Sequence, residues 1–238
     1  HVAVRPDNRI VPARGGETLL EALLREDIPM PYDCRNGGCG QCKCTVLYGD
    51  VELGPYQASV LSDEERRAGK VLACIAMPLT DVEVEYEPIE LPGGLRPKTW
   101  RAKVVSMAKA AEDVMIVHLA VEGDEPLLFY AGQYINIVMP DGVKRAFSFA
   151  TAPGAGPTIE LQIRRVPGGR YTTHVFEEMK VGDTVDFEGP LGSFFLREDS
   201  SKPIVFVAGA TGFAPVKSMV EHAFATGLKR KMVLYWGT

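Results

Sequence analysis

The chain has 238 residues, of which 46% are hydrophobic and 24% are charged, and its formal net charge is −5. This length predicts one or two domains with a sizeable core. No apolar run approaches the roughly 20 residues that a membrane span requires. The negative charge argues against a nucleic-acid or anionic-membrane partner. Because the first ten residues contain no apolar signal core, we expect a cytoplasmic protein.

The acidity is confined to the first third of the chain. Residues 1–90 contain 9 Lys and Arg against 16 Asp and Glu, a balance of −7, which leaves 17 against 15, or +2, for the rest. The stretch LPGGLRP at residues 91–97 lies where the balance changes, and its two prolines and two glycines predict a linker. We therefore expect domains at residues 1–90, 99–200 and 201–238, with residues 91–98 as the linker.

The elements before this linker begin with residues 1–4 and 9–12, which predict a hairpin around Asp7 and Asn8. Residues 18–21, Thr-Leu-Leu-Glu, form a capping box that predicts the start of a helix. This helix is expected to bury four leucines, Leu19, Leu20, Leu23 and Leu24. Alternating apolar residues at 44–47 and 82–86 predict two strands, the second with one face in water.

The elements after the linker are six short β-rich segments separated by Gly, Pro and Asp turns, at residues 101–105, 115–120, 134–139, 146–150, 159–165 and 184–188. Such spacing predicts a closed antiparallel barrel. Residues 204–208 then form a continuous apolar strand, typical of a parallel sheet buried on both faces. A glycine loop leads to a helix whose apolar residues follow a 3.6-residue period, namely Val216, Met219, Val220, Ala223 and Phe224. Residues 232–236 predict a second apolar strand, which completes one βαβ unit.

Four of the five cysteines fall within eleven residues, which indicates metal binding rather than disulfides. Cys34, Cys39 and Cys42 have the spacing C-x4-C-x2-C, and Cys74 follows alone, a pattern typical of plant-type [2Fe–2S] sites. Structural zinc is the weaker alternative, because it usually shows paired CxxC knuckles. Cys44 is interpreted as a small buried thiol. Three interleaved glycines allow the backbone to curl around the cluster, Gly37, Gly38 and Gly40.

Because of this cysteine motif, the first ninety residues resemble a plant-type ferredoxin domain. The resemblance implies a β-grasp α+β fold. It also implies that the four ligands of the [2Fe–2S] cluster are Cys34, Cys39, Cys42 and Cys74.

A second group of motifs lies in the β-rich segment. Arg145-Ala-Phe147-Ser148 falls on a predicted strand, and Arg164 opens the run RRVPGGRYT. Within that run a Gly-Gly turn, Gly168-Gly169, leads into a helix predicted at residues 173–179. Helix starts that follow glycines and carry a hydroxyl residue suit phosphate groups, because free N–H groups and the helix dipole face the anion.

These motifs together resemble the FAD-binding barrel of the ferredoxin–NAD(P) reductase family. The resemblance implies that Arg145 holds the FAD pyrophosphate, that Phe147 packs on the isoalloxazine ring where Tyr is commoner, and that Ser148 reaches flavin N5 as the catalytic residue. Arg164 is assigned to the same cofactor site. A second pyrophosphate contact would come from the turn and the helix start, Gly168, Gly169 and Thr172, with Thr173 as the alternative to Thr172. FMN is the alternative to FAD.

The loop between the predicted strand at 204–208 and the following helix carries the nicotinamide motif. Its sequence is G-A-T-G-F-A-P, and a proline in a first helical turn costs no hydrogen bond. In this family the loop binds NAD(P)H, which implies roles for Gly209, Thr211, Gly212 and Pro215. The alternative is a tight turn without a ligand. Since the family's nicotinamide domain needs more strands, we expect a truncated α/β parallel-sheet domain in a parent about 100 residues longer.

The order of these segments predicts an electron-transfer enzyme. A hydride carries two electrons and the cluster accepts one, so a flavin must mediate between NAD(P)H and the [2Fe–2S] cluster. No Rieske CxH pair or di-iron ExxH motif is present in the sequence, so the acceptor is a separate protein. The resemblance covers reductase components of Rieske and di-iron oxygenases and, equally, deoxysugar dehydrase reductases of the CDP-6-deoxy-3,4-glucoseen type. An electron carrier without nicotinamide activity is the alternative of another class. The oligomeric state has no signature in the sequence.

Overall fold

The computed structural model describes residues 1–5, 8–88 and 95–237, and the chain divides into two compact units, His1–Gly94 and Leu95–Thr238. Of the predicted linker, residues 91–94 lie outside the described residues, and Lys98 already belongs to a strand. No helix of the described residues is long and apolar enough to cross a membrane.

The first unit is built on a five-stranded mixed sheet with the order β2-β1-β7-β3-β5 and a separate β4-β6 pair. Strands β1 and β7 run parallel, with Val2 opposite Val82, and the other pairs are antiparallel. The bounds of its elements are β1 Val2–Arg5, β2 Arg9–Val11, α1 Leu19–Arg25, β3 Lys43–Tyr48, β4 Val51–Leu53, α2 Asp63–Arg67, β5 Lys70–Leu72, β6 Ala76–Pro78 and β7 Val82–Glu85.

The predicted elements of this unit are confirmed in their positions. The β1–β2 hairpin forms; its turn residue Asn8 has a φ of 52°, while Asp7 lies outside the described residues. Thr18 and Glu21 make the reciprocal capping box at the start of α1. The expected burial of Leu24 was wrong. Its side chain is only partly buried, and Ala22 completes the buried face, because position 24 lies beyond the face that turns inward.

The second unit contains a six-stranded antiparallel sheet with the order β11-β10-β13-β8-β9-β12. A single β-bridge between Phe149 and Leu161 joins the two edges of this sheet. A core of apolar side chains fills its inner face, including Ile135, Phe149, Leu161 and Phe187, all at most 2% exposed. The strands are β8 Lys98–Ala111, β9 Val114–Val121, β10 Tyr134–Val138, β11 Lys144–Ser148, β12 Thr158–Arg164 and β13 Thr184–Leu191.

The helix between β12 and β13 differs from its prediction. Helix α3 covers Arg170–Glu177 and not residues 173–179. Gly168 turns the chain with a φ of 73°, and Gly169 is the extended N-cap, so the helix begins three residues earlier than expected. Thr172 therefore lies in the first helical turn.

The last elements form the predicted βαβ unit: β14 Ile204–Gly209, a 3₁₀ turn Ala210–Gly212, α4 Phe213–Ala225 and β15 Met232–Gly237. Strands β14 and β15 are parallel. Strand β14 is buried on one face: Phe206 and Ala208 are buried, whereas Val205 and Val207 are 62% and 78% exposed. The reason is that α4 packs on one face only.

The apolar face of α4 also needs a correction. Val216, Met219 and Ala223 are buried, whereas Val220 is only partly buried and Phe224 is exposed. Ser218 takes a fully buried position on this helix. A 3.6-residue period indicates which side of a helix is apolar, but the width of the buried stripe depends on the surface beneath it.

Candidate active site: a four-cysteine loop and a flavin-sized cavity

The loop of residues 34–42 holds three of the predicted cluster ligands between α1 and β3. Gly37 and Gly40 have φ values of 74° and 77°, and Arg35 has a φ of 57°. A Cβ on Gly37 would lie 2.9 Å from the carbonyl oxygen of Pro55, so the backbone needs glycine here for space as well as for its dihedral angle. The structure thus confirms the predicted left-handed angles for Gly37 and Gly40, whereas Gly38 has no positive φ.

The four thiols of this loop and of Cys74 form two pairs. The Cys39 thiol interacts with that of Cys34, and the Cys42 thiol interacts with that of Cys74. The interaction with Cys42 lowers the pKa of Cys74 to about 7, while it raises the pKa of Cys42. The Gly38 N–H donates to Cys34 Sγ at 3.3 Å. Tertiary folding therefore brings the distant Cys74 to the loop.

The donor set of this arrangement fits a [2Fe–2S] cluster. A [2Fe–2S] cluster has two irons that share four thiolates, so two thiol pairs match its donor set. The fifth cysteine, Cys44, is 4% exposed, and burial raises its pKa to about 12, as expected for a thiol that packs rather than binds.

A cavity of about 620 Å³ opens on the second unit, within the usual size range of small-molecule sites. Its walls come from β11, β12, the following turn, α3, and the start of the βαβ loop and helix. Seven of the predicted cofactor residues line it together, Arg145, Phe147, Ser148, Arg164, Gly169, Thr172 and Thr211. Four others are not part of its lining, Gly168, Gly209, Gly212 and Pro215.

The charged groups of the cavity differ in their availability. Arg164 Nε donates to Asp113 at 2.7 Å. Arg145 donates to the carbonyl oxygen of Lys144 at 2.9 Å, and among the described residues no carboxylate pairs with it. Arg145 is therefore the cavity cation that is free to bind an anion.

The first turn of α3 adds backbone donors to this cavity. The first N–H groups of a helix have no intrahelical acceptor and attract anions. The Thr172 hydroxyl accepts from the Val166 N–H at 3.2 Å and lies 3.1 Å from the Gly169 carbonyl oxygen, so it closes the turn. A Cβ on Gly169 would lie 2.6 Å from that hydroxyl. Hence the turn offers amides to a ligand, and position 169 has no room for a side chain.

The loop between β14 and α4 is held by aromatic contacts. Phe213 stacks on Trp236 with ring centroids 4.3 Å apart, and Trp236 Nε1 donates to the Ala210 carbonyl oxygen at 3.0 Å. Pro215 lies in the first turn of α4, as predicted. The residue with positive φ is Ala210, at 44°, and neither Gly209 nor Gly212 has one. Conformational freedom therefore does not explain these two glycines.

Comparison with known proteins places both units in known families. Residues 2–79 match the model of a 2Fe-2S iron-sulfur cluster binding domain, and residues 101–196 match that of an oxidoreductase FAD-binding domain. The chain is 35% identical over 237 residues to the CDP-6-deoxy-L-threo-D-glycero-4-hexulose-3-dehydrase reductase of Yersinia pseudotuberculosis, covering all of this chain and 71% of that protein. The chain belongs to the iron–sulfur flavoprotein reductases.

Two further relatives support this membership. This reductase is 34% identical over 241 residues to the reductase component of phenol 2-monooxygenase from Pseudomonas sp. strain CF600, covering all of this chain and 67% of that protein. A crystal structure of an Amycolatopsis cytochrome P450 reductase superposes with a TM-score of 0.77 at 38% identity, covering 99% of this chain and 71% of the other. The protein is thus a multidomain electron-transfer oxidoreductase with a [2Fe–2S] domain and an FAD-binding domain.

Five lining residues of the reductase were missed from the sequence, Ala146, Gln162, Val166, Tyr171 and Ala214. Gln162 had a usable signal, because the two-residue period of a strand puts it on the same face as Arg164. Tyr171 had no such signal in the sequence. Its ring packs in the core, 5.5 Å from the Phe147 ring, and in sequence a buried aromatic residue of a binding site looks like any other core residue.

Proposed function

We propose that this reductase transfers electrons from NAD(P)H through FAD and a [2Fe–2S] cluster to a separate protein. One observation carries the proposal. The cavity joins Arg145, Phe147 and Ser148, the residues assigned to the flavin, with Thr211 and Ala214 of the nicotinamide loop. A hydride donor and a flavin that share this cavity would meet directly.

The residues of the cavity fit FAD by their chemistry. Arg145 and the free amides of α3 would hold the pyrophosphate, with Gly168, Gly169 and Thr172 shaping the turn. Phe147 would pack on the flavin ring and Ser148 would donate a hydrogen bond at N5. FAD, when bound, supplies the conversion between two-electron and one-electron steps. The six-stranded sheet would serve as the flavin barrel, residues 99–200, and residues 201–238 as the start of the nicotinamide domain, with Gly209, Gly212 and Pro215 shaping its loop.

The four thiols of the first unit would hold the cluster, Cys34 and Cys39 on one iron and Cys42 and Cys74 on the other. The two pairs of interacting thiols support this assignment. The cluster, when bound, supplies a one-electron site near −400 mV. We assign residues 1–90 to this domain, with a β-grasp fold.

The electron acceptor is inferred from the relatives. The phenol 2-monooxygenase relative is a reductase component of an oxygenase, so we propose an oxygenase as the partner. The balance of −7 in residues 1–90 suits a transient encounter with a basic surface. A hexulose dehydrase is the second candidate, because the Yersinia relative aligns over the whole of this chain.

Stopped-flow absorption tests the order of the electron transfers. After mixing the full-length protein with NADH under anaerobic conditions, we expect flavin bleaching first and cluster reduction second. Cys39→Ser serves as the matched variant: its flavin still bleaches, but electrons no longer pass to an acceptor. Absence of any bleaching by NADH, with normal reduction by dithionite, would favour the electron carrier without nicotinamide activity.

The acceptor is tested with purified partners. We expect NADH-dependent turnover of an oxygenase component that falls with rising salt, because exposed charges are screened. Turnover of a dehydrase, with no turnover of Rieske or di-iron oxygenases, would replace the oxygenase by the second candidate.

A further inference from the structure

Tyr171 is a buried residue of the cavity that no sequence motif assigns. It is the second residue of α3, is 6% exposed, and lines the cavity beside Gly169 and Thr172. Its ring lies 5.5 Å from the Phe147 ring and 6.3 Å from that of His174, measured between centroids. Its backbone position is therefore at the anion-attracting end of the helix, and its side chain reaches the strand that carries Arg145.

The hydroxyl of Tyr171 makes no hydrogen bond with any residue that the structure describes. The hydroxyl is not one of the fully enclosed unpaired atoms of the described residues, so it keeps some solvent contact and its donor and acceptor sites are available to a ligand. The neighbouring polar groups are satisfied in other ways, since the Thr172 hydroxyl closes its own turn and Arg164 pairs with Asp113. The phenol is therefore, like Arg145, available to a ligand in the cavity.

The chemical role of this hydroxyl follows from its surroundings. Burial raises the pKa of Tyr171, so the phenol stays neutral and acts as a hydrogen-bond donor. Arg145 and the free amides of α3 face the same cavity, and both favour an anionic acceptor. The adjacent aromatic residue, Phe147, has no hydroxyl of its own, so it cannot supply this donor.

We propose that the Tyr171 hydroxyl donates a hydrogen bond to a phosphoryl oxygen of the bound flavin nucleotide. This inference rests on the proposed function, because it requires a flavin in the cavity. It makes Tyr171 a further binding residue of the site, which acts on the phosphate end of the cofactor and not on the flavin ring.

The test compares Tyr171→Phe with the wild-type protein and with Tyr86→Phe, a buried tyrosine of the first unit that removes a hydroxyl away from the cavity. The ring of residue 171 is kept, so we expect the same unfolding temperature. Titration of the apoprotein with FAD, followed by flavin fluorescence, should show a loss of affinity of about tenfold or more, the usual effect of removing a hydrogen bond to a charged group. Tyr86→Phe should bind FAD as the wild type does.

A spectroscopic measurement separates the two ends of the cofactor. In Tyr171→Phe, the ³¹P resonances of bound FAD should shift, while the visible absorption maxima of the flavin should not. Unchanged affinity, or shifted absorption maxima with unchanged ³¹P resonances, would overturn the proposal. Failure of the wild-type protein to bind any flavin would instead overturn the proposed function, so the two failures are distinguishable.

Discussion

Lys217 of α4 lies 2.9 Å from the carboxylate of Glu160 on β12, measured between Nζ and Oε2. The same ammonium group donates to the Ala150 carbonyl oxygen at 2.8 Å, and the next residue, Ser218, donates to the Thr151 carbonyl oxygen at 2.6 Å. These bonds join the helix after the nicotinamide loop to the strand that carries Gln162 and Arg164 of the cavity. They therefore help to hold Thr211 and Ala214 at the wall of the cavity.

Loss of the Lys217 charge should destabilise the second unit. Lys217→Met removes the ammonium partner of Glu160, whose side chain is 12% exposed, and we expect a loss of about 2 kcal/mol in the free energy of unfolding. Thermal unfolding should show a decrease of about 5 °C. Glu221→Gln is the matched control, because Glu221 pairs with the same lysine from an exposed position. An equal effect of both variants would contradict the importance of Glu160.

The contribution of Lys217 to the free energy of unfolding should depend on pH only in the alkaline range. Burial disfavours its charge, but the hydrogen bonds to Glu160 and Glu221 outweigh burial and raise the pKa of Lys217 above its ordinary value of 10.5. A raised pKa gives a stabilisation that is complete below the unfolded pKa and is lost as the pH rises through the folded pKa. The stability difference between wild type and Lys217→Met should be constant from pH 7 to about pH 9 and shrink above about pH 10.5. A difference that grows with pH would contradict this assignment.

The two classes of cysteine should respond differently to substitution. Cys39→Ser should abolish the EPR signal of the reduced cluster, because it removes one thiolate of four. Cys44→Ser should keep that signal, since Cys44 is buried and has a pKa of about 12. Iron content and the visible spectrum check both variants. Loss of the signal in Cys44→Ser, with the fold intact, would show that Cys44 is a ligand.

The two arginines of the cavity should contribute unequally to FAD affinity. Arg145→Gln should weaken FAD binding by about tenfold or more, since a charged hydrogen bond contributes about 1.5–3 kcal/mol. Arg164→Gln should have a smaller effect, because Arg164 is already paired with Asp113. Fluorescence titration of the apoprotein measures both. A larger loss from Arg164→Gln would reverse the roles we propose.

Substitution of two glycines distinguishes a steric effect on stability from an effect on ligand binding. Gly169→Ala places a Cβ 2.6 Å from the Thr172 hydroxyl and 3.0 Å from the Val166 carbonyl oxygen, and overpacking of this kind costs about 1–3 kcal/mol. Gly209→Ala meets nothing within 4 Å, so we expect unchanged stability. Denaturant unfolding measures both. A change in nicotinamide binding of Gly209→Ala with normal stability would support the ligand role proposed for the loop.

Much of the site was predictable because its signals are local. The spacing of Cys34, Cys39 and Cys42 requires a tight loop, and the glycines between them meet that demand through backbone geometry alone. Period-two and period-3.6 patterns likewise predicted most strands and the helix α4. Helix α3 was misplaced because Gly169 serves as its N-cap, and a glycine cap has no side-chain signature.

The sequence by itself determined the two domain families of this reductase, through its four-cysteine motif and its flavin-domain motifs, and it predicted an anion-binding arginine, a nicotinamide loop and an acidic first domain. The tertiary structure decided which groups meet, because contacts between residues far apart in the chain depend on how the sheets and helices pack. It placed the Cys74 thiol beside that of Cys42, and it paired Arg164, but not Arg145, with a carboxylate. It also left the side chains of Phe224 and Val207 exposed to solvent. It also brought the unpaired hydroxyl of Tyr171 to the cavity, which no local pattern encodes, since burial and hydrogen bonding are properties of the packed chain.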